Sequence, residues 1–165
     1  MRFRTDLIFE PDQIPDQWNA VVAKNNILLS AEFFTALKES QPQNMQNYLA
    51  AFYHGETLIG GAILQTLDFK EHSPFKNKSF LNLNNISLKT VAQKLLIVGN
   101  NLVTGQNGFY FDLNLISKPE AIKFLENAVY LIQKKIGKAD LILFKDYERP
   151  VSEIIKENLN KSFQS

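Results

Sequence analysis

Leu95–Asn114 reads LLIVGNNLVTGQNGFYFDLN, and it leads into Ser117–Gly137, SKPEAIKFLENAVYLIQKKIG. An apolar run, a loop holding Gly99, Gly105 and Gly108, and a capped amphipathic helix follow one another in the order used by nucleotide- and coenzyme-binding folds. Ser117-Lys118-Pro119-Glu120 has the spacing of a capping box with proline in the first turn, which satisfies backbone donors at a helix start. Ile122, Leu125, Val129, Ile132 and Ile136 recur at intervals of three and four and form one apolar stripe, and Gly137 supplies a left-handed stop. Upstream, Phe109–Leu115 alternates without a break, which predicts a strand. Downstream, Ala139–Phe144 is nearly all apolar, as expected of a strand buried on both faces and reached by a helical crossover from a parallel neighbour. The result is a strand-helix-strand unit.

Working back towards the N-terminus, Tyr48–Tyr53 and Thr57–Leu67 are two strand-like runs joined through His54-Gly55-Glu56, which predicts an antiparallel hairpin. Gly60 and Gly61 weaken the second run unless a bulge or a close neighbour requires the missing side chains. Phe3, Leu7 and Phe9 share a parity that suits an opening strand. A short helix is expected from Pro15 to about Lys24, with Trp18, Val21 and Val22 at helical spacing. Ser30 caps a second helix carrying Phe33, Phe34 and Leu37 inward, which Pro42 ends. Phe69–Asn85 reads as a loop and Ser87 as the cap of a short helix through Lys94; Pro150 opens a last helix with Val151, Ile154, Ile155 and Leu159 on its apolar face. The fold class is therefore α/β with a mixed sheet: an antiparallel hairpin, then a strand-helix-strand unit, with flanking helices.

Composition narrows the chemistry. At 165 residues the chain fits one domain, 1–165, with a core that needs no staple. The absence of cysteine removes disulfides, thiolate nucleophiles and thiolate metal sites, and suits a reducing compartment. Eighteen Lys+Arg against 17 Asp+Glu leave a net charge of +1, so no field favours DNA or an anionic membrane. Neither a signal peptide nor a membrane span is legible, and cytoplasmic location is the expectation. Thirteen phenylalanines against one tryptophan indicate an aromatic core rather than a stacking platform for bases. His54 in the hairpin turn and His72 beside Glu71 lack metal-ligand spacing, and Asp12, Asp16, Glu32 and Glu39 are scattered along helix starts and exposed faces, so no metal is called for.

The order strand, two helices, hairpin, strand, helix, strand, helix, with the hairpin YLAAFYHGETLIGGAILQTL, resembles the GNAT superfamily of N-acetyltransferases. More narrowly, IPDQWNAVV, LLSAEFFTALKESQPQNM, LLIVGNNLVTGQNGF and LILFKDY look like a bacterial group of Fem-like acyltransferases related to peptidoglycan biosynthesis. That group carries two such domains, and this chain resembles the first, so the resemblance implies the N-terminal part of a longer protein or a shortened member. It implies transfer of an acyl group from acyl-CoA, or an aminoacyl group from a charged tRNA, to an amine acceptor, and contact with a second GNAT-like domain. The family's pyrophosphate loop, Gln/Arg-x-x-Gly-x-Gly/Ala directly before a helix, corresponds here to Gly99, Asn100, Thr104, Gly105 and Gly108 as candidate cofactor residues. The glycine frame departs from that pattern and Phe109–Ile116 intervenes before the helix, so turn-forming and ligand-cradling readings both stay open. In some members a tyrosine near the end of the parallel strand donates a proton to the leaving thiolate, a role that falls on Tyr147. A non-catalytic domain that keeps the fold as a binding or interaction module is the alternative.

Overall fold

The computed structural model describes residues 3–69, 93–101 and 108–145. Along the chain the elements are β1 (Phe3–Ile8), α1 (Trp18–Val21), α2 (Ala31–Ser40), β2 (Met45–His54), β3 (Thr57–Asp68), β4 (Lys94–Val98), β5 (Phe109–Phe111), α3 (Lys118–Ile136) and β6 (Leu141–Phe144). The six strands form one mixed sheet in the order β1-β2-β3-β4-β6, with β5 pairing β3. The pairs β1–β2, β2–β3, β3–β4 and β3–β5 are antiparallel, and β4–β6 is parallel.

The hairpin turns at Gly55, whose φ of 62° is open to glycine at little cost. Its register slips once, from Tyr53↔Leu58 to Phe52↔Gly60, so Ile59 is the additional residue of a bulge in β3. The two glycines just past it answer to close neighbours: a Cβ on Gly60 would overlap the Tyr110 carbonyl oxygen, and one on Gly61 would overlap the Trp18 ring.

Strand alternation gives the sheet two apolar faces, each covered by helix. On one, Phe52, Leu64, Leu96, Val98 and Phe111 meet Phe124, Leu125, Ala128 and Ile132 of α3. The Phe52 and Phe111 rings stack with centroids 4.8 Å apart. On the other, Leu49, Ala51, Leu58 and Ile63 meet Trp18, Val22, Leu29, Phe34 and Leu37. Trp18 is wholly buried, and its indole Nε1 donates to the Leu29 carbonyl at 2.6 Å. Ser30 caps α2 by accepting from the Phe33 amide at 3.1 Å, and the Glu120 carboxylate accepts from the Ser117 amide at 2.8 Å where α3 begins.

Four expectations change. The helix from Pro15 shrinks to Trp18–Val21, because the Asn25-Asn26 stretch that follows turns away and Asn26 accepts from the Leu28 amide to open a 3-10 turn over Ile27–Leu29. Lys94 belongs to β4 rather than to a helix; residues 87–92 lie outside the described residues, as do most of the 69–85 loop and the helix expected from Pro150. The alternating run from Phe109 leaves the sheet after Phe111: Asp112 Oδ1 captures the Asn114 amide at 3.0 Å, and Leu113 and Leu115 are 52% and 50% exposed. Finally, the strand expected over Ala139–Phe144 spans Leu141–Phe144 and is buried on one face only. Ile142 and Phe144 pack towards α3, while Leu141 and Leu143 are 50% and 42% exposed, since β4 is its only partner among the described strands. A parallel pairing reached through α3 is as the sequence predicts, but the partner is β4 and not the Phe109 run that directly precedes the helix.

Candidate functional site

Two short strands lie end to end along one long one. β4 pairs with Leu64–Asp68 of β3 and β5 with Gly60–Ala62. Between them the chain departs at Gly99 and returns at Gly108, and both ends fasten to the same residue. The Ile63 carbonyl accepts from the Gly99 amide at 3.0 Å, and the Ile63 amide donates to the Gly108 carbonyl at 2.8 Å. Gly99 has φ 128°, and a Cβ on Gly108 would overlap its Cα, so the two glycine backbones touch. The punctuation read from the sequence therefore has a direct structural use, closing the neck of an excursion.

This neck sits at the carboxyl ends of the parallel pair β4–β6, where open α/β sheets gather ligands. The Lys145 amide donates to the Val98 carbonyl at 3.0 Å, and its Nζ donates to the Asn100 carbonyl at 3.0 Å. Among the described residues β6 pairs with β4 alone and ends at Phe144, whereas β5 pairs with β3 and then feeds, through the Asp112–Ser117 turn, into the N-terminus of α3. Of the candidate cofactor residues, Gly99, Asn100 and Gly108 come together here; Thr104, Gly105 and the candidate proton donor Tyr147 lie outside the described residues.

A buried amide ladder reaches the same place from beneath. Asn47 on β2 and Gln65 on β3 are fully buried. The Asn101 amide donates to Gln65 Oε1 at 2.6 Å, Gln65 Nε2 to Asn47 Oδ1 at 2.6 Å, and Asn47 Nδ2 to the Leu37 carbonyl at 3.4 Å and Gln41 Oε1 at 3.1 Å. Sequence reasoning missed these two residues. The available signal was Gln65 sharing the parity of Gly61 and Ile63 in a run otherwise made of core residues.

The titratable groups with shifted pKa stand away from the neck. Burial pushes the Tyr48 and Tyr53 hydroxyls up, the latter helped by the Asp6 charge. Glu120 is held below the usual glutamate range by the Ser117 hydroxyl and then its amide, and Glu32 by its own backbone amide and then the Asn19 side chain. His54 closes β2 with its ring 5.1 Å from that of Phe3, and His72 and Glu71 lie outside the described residues. Among the described residues no group of three His, Asp or Glu is placed to hold a metal ion, and no helix is long and apolar enough to cross a membrane. No family model, curated protein or solved structure matches the chain.

Proposed function

We propose that this chain is an N-acyltransferase domain of GNAT type, or the N-terminal half of a two-domain Fem-like acyltransferase, taking an acyl-CoA or aminoacyl donor to an amine acceptor. The observation that carries the reading is the interrupted strand: β4 has a parallel partner in β6, while β5, in line with it on β3, has none among the described residues. Among the described residues this leaves a gap beside β5, past the carboxyl end of β6, where an extended, amide-containing donor arm can lie beside strand backbone, as peptides add to a sheet. The neck at Gly99, Asn100 and Gly108 stands at the head of that gap, with the Lys145 ammonium beside it as a positive charge suited to an anionic donor. In this reading Thr104 and Gly105 complete the cradle. The acceptor nitrogen attacks the donor carbonyl carbon, the oxyanion collapses as the carbon–sulfur bond breaks, and Tyr147 passes its proton to the thiolate, recovering one from the acceptor ammonium through solvent.

Acetyl-CoA tests this directly. A ligand at a hundred times its dissociation constant adds about 2.7 kcal/mol of stability, a rise of several degrees in Tm for a domain of this size. An unchanged Tm at millimolar acetyl-CoA overturns the coenzyme reading. The second reading, a non-catalytic interaction module beside another GNAT-like domain, draws on the half-exposed Leu141 and Leu143 of the edge strand β6.

A further inference from the structure

Both ends of the Asn47–Gln65 ladder are backbone groups, and this fixes its direction. Asn101 can only donate its N–H and Leu37 can only accept at its carbonyl, so Gln65 must present Oε1 upward and Nε2 downward, and Asn47 must follow suit. With Gln41 Oε1 also accepting from the Asn47 amide at 3.3 Å, the chain of bonds runs from the C-terminal end of α2, across two strands, to the residue after Asn100. Buried side chains bonded at both ends specify one geometry, because any rotation leaves a donor or acceptor unpaired in the core. The Gly99–Asn101 turn is thus held from three directions: by Ile63, by Lys145 and by Gln65.

We propose that Gln65, oriented by Asn47, is the positioning residue of the candidate donor site: it sets the Gly99–Asn101 backbone from the sheet face opposite α3 without touching the ligand. The inference rests on the acyl-donor reading of that turn, and the test separates the two. Gln65→Met keeps length and volume but removes the acceptor, whereas Gln65→Glu, measured at a pH where its carboxyl is protonated, keeps a carbonyl oxygen for the Asn101 amide and an O–H for Asn47 Oδ1. Two quantities are measured on the full chain: amide hydrogen exchange at Asn101, and the Kd for acetyl-CoA. Gln65→Met should speed Asn101 exchange and raise Kd by about tenfold or more, the effect of one buried donor left unpaired. Gln65→Glu should keep both within about threefold of wild type, a rescue that loss of packing alone would not give. If Gln65→Met does not fold, Asn47→Leu, which removes the group orienting Gln65 together with its bonds to Leu37 and Gln41, should also speed Asn101 exchange and raise Kd, by a smaller factor. Wild-type exchange and affinity in a folded Gln65→Met protein, or equal losses in both Gln65 variants, overturn the proposal. Absence of acetyl-CoA binding by the wild type overturns the donor reading instead, and Asn101 exchange then still decides whether Gln65 sets the turn.

Discussion

The two faces of the sheet are built by different rules. The α3 face is held by area: one 19-residue helix, capped at Ser117 and stopped at Gly137, lays a continuous apolar stripe over Phe52, Leu64, Leu96 and Phe111. The opposite face is held by particular bonds: a four-residue α1, a ten-residue α2, an indole bonded to Leu29, and a core that admits two amides. The first face tolerates exchange of one large apolar residue for another; the second depends on each partner being in place. A fold can therefore rest on one face and tune its site from the other.

The largest test of this contrast is Trp18→Ala. It removes the ring that fills the space over Gly61 together with the bond to Leu29, and about 3–5 kcal/mol of stability should go with it in chemical denaturation. A loss below about 1 kcal/mol would break the claim that Trp18 organises its face. On the α3 face, Leu125→Ala should cost about 2–5 kcal/mol, while Leu125→Met should cost less than about 1.5 kcal/mol if area rather than shape is what matters. Gly108→Ala drives a methyl into the Gly99 backbone and should cost about 1–3 kcal/mol, with exchange rising at the Gly99 amide. If that variant is as stable as wild type, the neck is looser than described. Ser117→Ala should cost about 1 kcal/mol and leave Trp18 fluorescence unchanged.

The smallest effect is one of pH. Glu32 and Glu120 both have pKa values depressed in the fold, so each contributes stability that is present above the ordinary glutamate range and is lost as pH falls through the folded value. Asn19 Nδ2 donates to both Glu32 oxygens at 3.0 Å, and Asn19 Oδ1 accepts from the Ala31 amide, so Glu32 ties α1 to α2. The hydrogen bonds of Glu120 are to Ser117 at its own helix start. Trp18, the one tryptophan, should report acid loosening in the wild type, and Glu32→Gln should flatten that acid response where Glu120→Gln does not. Matching acid curves for the two variants would erase the distinction.

Legibility in the sequence follows the same division. The hairpin and α3 could be read because Gly55 and the Ser117–Gly137 stripe state their structure locally. The ends of β5 and β6 could not, because strand length is granted by a partner: β5 stops pairing at Gly60↔Phe111, beside the bulge in β3, and β6 meets β4 alone among the described strands. At the candidate site the glycines were legible as punctuation, but their contact across nine positions was not. Gln65 was invisible as an anchor because the donor that occupies it comes from 36 residues further along.

The interruption between β4 and β5 has an evolutionary corollary. Because departure and return are clamped on Ile63, the stretch from Gly99 to Gly108 is a module whose length the sheet does not register. Loop-closure cost grows slowly with length, by about 0.6 kcal/mol per doubling, so a change of length between two clamped ends should cost folding little. The position is a natural graft point, where chain can be inserted on an unchanged sheet.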